Sequence, residues 1–149
     1  MTDVSFYHLE RSSLETALPA LLEKTLEAKK RALVLTQFDA QVEEISDVLW
    51  AYKSESWLPH GTSKDGFADQ QPVWLSTLDE NANSSSFLFL TNGATSDGVD
   101  SYERCFELFD GNDTDTVTAA RQRWKLYKES KHELAYFQQN ISGGWSRES

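Results

Sequence analysis

The chain of 149 residues contains a single cysteine, Cys105, and this scarcity limits its chemistry. One thiol cannot form an internal disulfide framework or a cysteine-based zinc cluster. A reducing cytoplasm fits this composition best, and since the first residues carry no charged and apolar leader, we do not expect secretion. Because Cys105 lies in an apolar run, we expect a buried, inert thiol rather than a nucleophile.

Long apolar runs and positive charge are also scarce. No run approaches the roughly 20 apolar residues that a membrane-spanning helix needs. The 24 acidic residues outnumber the 14 basic ones, so the formal net charge is −10. This sign opposes general binding of DNA or RNA, whose phosphates attract positive surfaces. The length suits one core, so we expect residues 1–149 to form a single α/β domain that frays at 146–149.

Motifs for cofactors and metals are absent from the sequence. The first predicted strand continues into Glu10 and Arg11 without the glycines that let a backbone approach a pyrophosphate, and no P-loop follows. A segment starting at Asp110 begins like a calcium loop, but Asp115 replaces its glycine and Arg121 its bidentate glutamate. The three histidines lack the spacing of metal ligands. We therefore expect no cofactor and no metal.

The elements that the sequence does contain alternate between strands and helices. Helical periodicity predicts a first helix capped by Thr16, with Pro19 in its first turn, a second helix from Asp39, and a third from Asp113 or Thr114 to about residue 128. No strand is predicted after the third helix. Alternation of this kind is typical of a largely parallel sheet with helices packed on its faces. Five strands are predicted: 4–9, 32–35, 73–75, 87–90 and 105–109.

The third predicted helix concentrates positive charge. Five of the 14 basic residues fall between positions 121 and 131. At about 100° per residue, Val117, Arg121, Trp124 and Lys128 share one stripe, with Lys125 nearby. The other side of the helix is predicted to pack on the sheet; it carries Ala119, Ala120, Arg123, Leu126 and Tyr127.

A tryptophan between two cations favours a groove for a peptide that is both acidic and apolar. Arg121 could hold a carboxylate through two hydrogen bonds, and Trp124 could form the wall of an aromatic pocket. Two alternatives stay open at this point. Trp124 could be a core residue at an edge, with solvated cations beside it, or a platform on which the bases of single-stranded DNA stack.

Large apolar residues also follow the second predicted helix. Trp50 falls about 100° from Leu49, off the buried stripe of that helix. Trp57, Leu58 and Pro59 come after a short polar turn. Exposed clusters of this kind usually mark protein interfaces. The alternative is a minor core that covers the end of the sheet.

With these features, the sequence resembles the chi subunit family of bacterial DNA polymerase III, an accessory of the clamp loader. The resemblance covers nearly the whole chain, and its specificity lies in the order and spacing of short motifs. These motifs are Phe6-Tyr7, Leu49-Trp50, Trp57-Leu58-Pro59-His60-Gly61, Leu90-Thr91-Asn92-Gly93, Phe106-Glu107-Leu108-Phe109-Asp110 and residues 120–128.

The resemblance implies a three-layer α/β/α, Rossmann-like fold without catalysis. It implies that Arg121, Trp124, Lys125 and Lys128 bind the acidic C-terminal tail of single-stranded DNA-binding protein. Arg121 would take the terminal carboxylate, and Trp124 would pack on the apolar end of the tail. Val117 stands where some members carry a lysine, which would lower the affinity for the tail unless a neighbouring lysine takes its place.

The resemblance further implies that Trp50, Trp57, Leu58 and Pro59 contact the psi subunit of the clamp loader or a helicase. The chain would then tether the clamp loader to coated single-stranded DNA in the cytoplasm, and would contact DNA only indirectly. Two alternatives remain: a direct binder of single-stranded DNA, and a small-molecule-binding enzyme on a degenerate Rossmann-like fold. A polar pocket at the carboxyl ends of the strands would favour the enzyme.

Overall fold

A computed structural model describes residues 2–10, 13–52, 58–139 and 145–147. Within these ranges the helices are α1 (Leu14–Glu27), α2 (Asp39–Ala51) and α3 (Thr114–Glu129), with short 3-10 turns at Ala68–Gln70 and Val99–Ser101. The strands are β1 (Asp3–Leu9), β2 (Ala32–Leu35), β3 (Val73–Ser76), β4 (Phe87–Leu90), β5 (Arg104–Asp110), β6 (Glu133–Gln139) and β7 (Trp145–Arg147).

The strands form one sheet in the order β3-β2-β4-β5-β1-β6-β7. Every neighbouring pair is parallel except β6 and β7, which are antiparallel. Helices α1 and α2 pack on one face of the sheet and α3 packs on the other. The predicted three-layer α/β/α fold with a mostly parallel sheet is therefore confirmed.

The central strands are buried because helices or loops cover both faces of the sheet. All four residues of β2 and all four of β4 are buried, as continuous apolar runs in parallel sheets usually are. On the α1–α2 face, Phe89 stacks on Phe106 with ring centroids 4.3 Å apart. Cys105 is buried on the α3 face, as predicted, and burial raises the pKa of its thiol.

The start of α1 differs from the prediction. The helix begins at Leu14 after Ser13, so Thr16 is not its cap and Pro19 lies inside the helix rather than in its first turn. Burial explains the longer helix, because an early start adds a turn that carries Leu14 onto the same apolar cluster as Leu18. The cap of α3 was predicted correctly, since the side chain of Asp113 accepts hydrogen bonds from two backbone amides of the first turn.

Strand β6 was not predicted. It pairs in parallel with β1, so that Phe6 lies opposite Tyr136 and Tyr7 opposite Phe137. Both ring pairs are stacked, one on each face of the sheet. The expected fraying of residues 146–149 is contradicted at 146 and 147, which belong to β7, whereas 148 and 149 lie outside the described residues.

None of the helices in the described part of the chain is long and apolar enough to span a bilayer.

Candidate functional site

The buried face of α3 agrees with the prediction at Ala120, Arg123 and Tyr127 but not at Leu126. Ala120 is buried, and Val117, Trp124 and Tyr127 are partly buried in the same apolar cluster of the sheet. Leu126, which was expected to pack on the sheet, is instead 62% exposed. Helix α3 packs against β5 and β6, with Ala120 buried and the rings of Trp124 and Tyr127 partly buried beside it. The stripe of Val117 and Trp124 is therefore the border of the buried face.

Trp124 is held in place by two aromatic rings. Its ring meets Phe6 of β1 edge-on, with centroids 5.2 Å apart, and Tyr136 of β6 at 5.8 Å. The residue remains partly exposed at the border of the helix. The sequence left open whether Trp124 is a core residue at an edge or the wall of a docking groove. The packing of Trp124 is that of a core residue at an edge, and its partial exposure is compatible with the wall of a docking groove.

Three cations surround Trp124 on the solvent side of α3. Arg121, Lys125 and Lys128 are exposed, and within the described residues none of them pairs with a carboxylate. Other basic residues do find partners, for example Lys30, whose Nζ lies 3.0 Å from Glu103 Oε2. The border of α3 thus presents positive charge that no carboxylate in the described part of the chain neutralises.

The fourth basic residue of α3, Arg123, is used internally. Its Nε donates to Glu107 Oε2 at 2.9 Å, and the hydroxyl of Tyr127 donates to the same oxygen at 2.8 Å. Glu107 is 1% exposed, and burial raises the pKa of its carboxyl, although Arg123 and Tyr127 lower it. This buried group fixes α3 to β5 and thereby positions the border residues.

Sequence reasoning missed Tyr136 and His8, which extend the same border. The hydroxyl of Tyr136 lies 2.6 Å from Nδ1 of His8. Burial raises the pKa of Tyr136, while Arg121 lowers it and Glu10 raises it, so both charges act on this hydroxyl. A sequence signal for this pair does exist. Leu134 and Tyr136 are two residues apart, so in a strand their side chains lie on the same face of the sheet.

The second candidate surface is smaller than predicted. Trp50 is 65% exposed, and its ring lies 4.7 Å from that of His60. Pro59 is partly buried, but Leu58 is 3% exposed and belongs to the core beside α1 and α2, so its prediction as an exposed contact is wrong. His60 explains the difference: its Nδ1 lies 2.8 Å from the carbonyl oxygen of Leu58 and holds the segment inward. Trp57 lies outside the described residues.

A crevice of about 810 Å³ opens at the carboxyl ends of β1, β4 and β5, where an enzyme of this fold would bind its ligand. Its wall carries four acidic residues, Glu10, Glu15, Asp110 and Asp115. Among the described residues that line it, the one basic residue is Arg123, whose guanidinium is bound to Glu107. Such a lining repels the phosphates of a nucleotide. Within the described residues no three potential metal ligands lie together.

Comparison with known proteins connects this arrangement to replication. The family model described as DNA polymerase III chi subunit, HolC, matches residues 1–135. A curated protein of Rickettsia prowazekii (strain Madrid E), named probable DNA polymerase III subunit chi, is 28% identical over 90 residues. The aligned segment is 60% of this chain and 54% of that protein, so the match spans little more than half of the relative.

Proposed function

Because the chain belongs to the DNA polymerase III chi subunit family, we propose that its replication accessory role is to bind the acidic C-terminal tail of single-stranded DNA-binding protein. The observation that carries the proposal is the border of α3. Three unpaired cations there surround a tryptophan that is packed on one side and open on the other. A peptide that is acidic and ends in an apolar side chain complements both properties.

Arg121 supplies the strongest single contact in this proposal. A guanidinium presents donors in a planar fork that matches a carboxylate, so it can hold the terminal carboxylate of the tail through two hydrogen bonds. Arg121 lies one helical turn before Trp124 and therefore on the same side of α3. The aromatic end of the tail would then contact Trp124 while its carboxylate meets Arg121.

Lys125 and Lys128 contribute mainly long-range attraction. Both are exposed, and screened charges of this kind steer and orient a ligand more than they bind it. The chain as a whole carries a net charge of −10, so the cations of α3 contrast with the overall sign of its charge. Affinity for the tail should therefore fall as salt increases.

Titration with a synthetic tail tests the proposal directly. We expect an acidic peptide of about nine residues ending in Asp-Ile-Pro-Phe to bind with micromolar affinity at about 20 mM salt and more weakly at about 200 mM. The same peptide without its final phenylalanine is the control and should not bind measurably. If the complete peptide did not bind at low salt, the proposal would be wrong, and the partner of α3 would be unassigned.

The other candidate functions have weaker support. Direct binding of single-stranded DNA would use the same exposed part of Trp124, but the net charge of −10 opposes the approach of a phosphate backbone. A bare oligonucleotide should therefore not compete with the peptide. The enzyme alternative has the crevice at the carboxyl ends of the strands in its favour, but the four carboxylates of that wall oppose the approach of phosphate groups.

The surface around Trp50 would hold the second partner, the psi subunit of the clamp loader or a helicase. Trp50 and Pro59 form its described part, and Trp57 would extend it. Simultaneous contacts at this surface and at α3 would tether the clamp loader to coated single-stranded DNA. Each contact can be weak, because tethering raises the effective concentration of the other.

Replacing Trp50 with alanine separates the two surfaces. We expect at least a tenfold loss of binding to the psi subunit, since large exposed aromatics often dominate interfaces. The free energy of unfolding should change by less than about 0.5 kcal/mol, because the side chain is 65% exposed. Copurification and calorimetry measure binding of the psi subunit. Binding of the tail peptide, which should not change, is the internal control. Unchanged binding of both the psi subunit and a helicase would exclude this surface.

A further inference from the structure

Most of the exposed large apolar side chains lie at one edge of the sheet. Among the described residues, five such side chains are more than half exposed, and one of them, Leu126, lies on α3. The other four lie beside or on α2 or on the segments that flank β3, the edge strand on that side: Phe38, Trp50, Phe67 and Leu78. Helix α2 packs against β3. Exposed apolar groups that gather in this way mark interaction surfaces, whereas single scattered ones do not.

Phe38 and Leu78 lie at the same end of this edge. Strands β2 and β3 pair in parallel, so the residues that follow each strand emerge side by side. A hydrogen bond from Thr77 Oγ1 to Asp39 Oδ1 joins the two segments, one residue away from each apolar side chain. Phe38 is 63% exposed and Leu78 is 60% exposed, and neither belongs to a buried apolar cluster. The two side chains therefore form an apolar pair that the described fold leaves in solvent.

The ring of Phe38 does not stabilise the helix that it precedes. It occupies the N-cap of α2, where serine, threonine, aspartate or asparagine would accept a hydrogen bond from a free backbone amide. Gln41 fixes the backbone at this point, because its Oε1 accepts hydrogen bonds from the amides of Gln37 and Phe38. An apolar ring is thus held on a fixed backbone, in solvent, at a position where a polar side chain would stabilise the fold.

A stripe of carboxylates on α2 connects this pair to Trp50. Helix α2 contains four acidic residues and no basic one. At about 100° per residue, four exposed residues fall within about 80° of one another: Asp39, Glu43, Asp47 and Trp50. Of the carboxylates on α2, one pairs with a cation of the described chain, namely Glu43 with Lys64 from the loop before β3. The stripe is therefore negative, and it is adjacent to the edge strand.

We propose that this edge docks a helical segment of a partner that is both basic and apolar, with Phe38 and Leu78 as one anchor and Trp50 as the other. Phe38 and Trp50 are twelve positions apart, which is about 18 Å along a helix and a little over three turns of a partner helix. Lysines or arginines of that helix meet the carboxylates between the two anchors. The inference goes beyond the proposed function, with which it shares Trp50 alone.

Charge decides between this partner and the other occupants of such a surface. A second copy of the chain in a symmetric contact would bring one acidic stripe against another, and like charges oppose that contact. A nucleic acid would bring phosphates, which the carboxylates also repel. A basic amphipathic helix meets neither penalty, and its apolar face matches anchors that are spaced by whole helical turns.

Titration of the full chain with a designed peptide tests the proposal. The probe is an amphipathic helix of about 18 residues made of leucine, lysine and alanine, and its control carries glutamate in place of every lysine. We expect the lysine peptide to bind, more weakly as salt increases, and the glutamate peptide not to bind measurably. The double variant Phe38→Ser, Leu78→Ser should bind the lysine peptide about tenfold more weakly or worse, since apolar anchors dominate interfaces of this kind.

Leu126→Ser is the matched control for the double variant. Leu126 is as exposed as Leu78 but lies on basic α3, so its replacement should leave the affinity for the lysine peptide within about twofold of native. Equal losses in the two variants, or native affinity in the double variant, would overturn the proposal. Equal binding of the glutamate peptide would overturn the basic character of the partner. A dimer of the native chain in sedimentation that the double variant abolishes would assign the edge to a second copy instead.

The single variant Phe38→Ser adds a measurement that needs no peptide. Because serine caps a helix and phenylalanine does not, the midpoint of urea denaturation should rise while affinity for the lysine peptide falls. A lower midpoint would show that the ring stabilises the fold, and the proposal would be wrong. The acidic tail peptide should bind this variant as it binds the native chain, because α3 lies on the other face of the sheet. Failure of the tail peptide alone would count against the proposed function and not against this surface.

Discussion

Replacing Arg121 with alanine is expected to weaken binding of the tail peptide about 30-fold or more, which corresponds to about 2 kcal/mol. The loss is large because the terminal carboxylate would have no other guanidinium within reach. Arg123 cannot substitute, since its Nε is bound to buried Glu107. The lysines that follow on α3 present point charges on flexible chains rather than a planar fork.

Two further variants define the nature of this contact. Arg121→Lys keeps the charge but loses the paired hydrogen bonds, so its affinity should fall between those of the native chain and the alanine variant. Gln122→Ala is the matched control, because Gln122 is exposed on the same helix about 100° from Arg121 and carries no charge. The Arg121→Lys and Gln122→Ala proteins should both have the same denaturation midpoint as the native chain. A folded Arg121→Ala protein with native affinity would show that the carboxylate binds elsewhere.

Much of the fold was predictable because its strongest signals are local. The predicted strands at 32–35 and 87–90 have the same bounds as β2 and β4. A short continuous apolar stretch bounded by turn residues is typical of a buried strand. Strand β6, Glu133–Gln139, also contains four apolar residues in a row, Leu134 to Phe137, but it follows α3 directly and ends in amide residues, so the sequence did not single it out. Its pairing with β1, more than 120 residues earlier in the chain, is a tertiary contact that a local pattern does not specify.

The site was predicted in composition but not in orientation. The sequence identified the basic stripe of α3, yet it assigned Leu126 to the buried side and left open whether Trp124 is a core residue at an edge or the wall of a groove. A helical wheel weighs residues by hydrophobicity, whereas the structure orients α3 by steric fit around Ala120 and by the bond between Arg123 and Glu107. Tyr136 and His8 could not be placed near Arg121 before β6 was known. Tertiary contacts therefore decide which residues of α3 are buried and which are exposed to solvent.

The position of Trp50 illustrates the same limit on the other face. Its exposure followed from the helical wheel and was correct. The burial of Leu58 did not follow, because it depends on two hydrogen bonds of His60, one to the carbonyl of Leu58 and one to Ser46 Oγ at 3.1 Å. A buried histidine that organises a loop gives no pattern in a single sequence.

Replacing Glu107 with alanine is expected to lower the free energy of unfolding by about 3–5 kcal/mol. Glu107 is almost completely buried and accepts hydrogen bonds from Arg123 and Tyr127. Its removal leaves a guanidinium that is only 14% exposed without a counter-charge, and a hydroxyl without an acceptor. Because these two residues hold α3 on the sheet, affinity for the tail should decrease as well. Urea denaturation measures the first effect and peptide titration the second.

Glu129→Gln is the matched control for this variant. Glu129 is an exposed carboxylate at the end of the same helix, so its neutralisation should change the free energy of unfolding by less than about 0.5 kcal/mol. If Glu107→Ala were as stable as this control, the buried group would not be what holds α3 in place.

The conservative change Glu107→Gln should have an effect that depends on pH with a defined sign. Burial raises the pKa of Glu107 in the folded chain above its unfolded value of about 4.3. A carboxyl with a raised pKa binds its proton more tightly when folded, so its contribution to stability is complete below the unfolded pKa and is lost as pH rises through the folded pKa. Glutamine carries no such proton. The stability difference between the native chain and Glu107→Gln should therefore be larger at about pH 4 than at about pH 7, as measured by urea denaturation at both values. A difference that grows toward neutral pH would instead mean that the bond to Arg123 outweighs the desolvation of Glu107, and that the ionised pair itself stabilises α3 on the sheet.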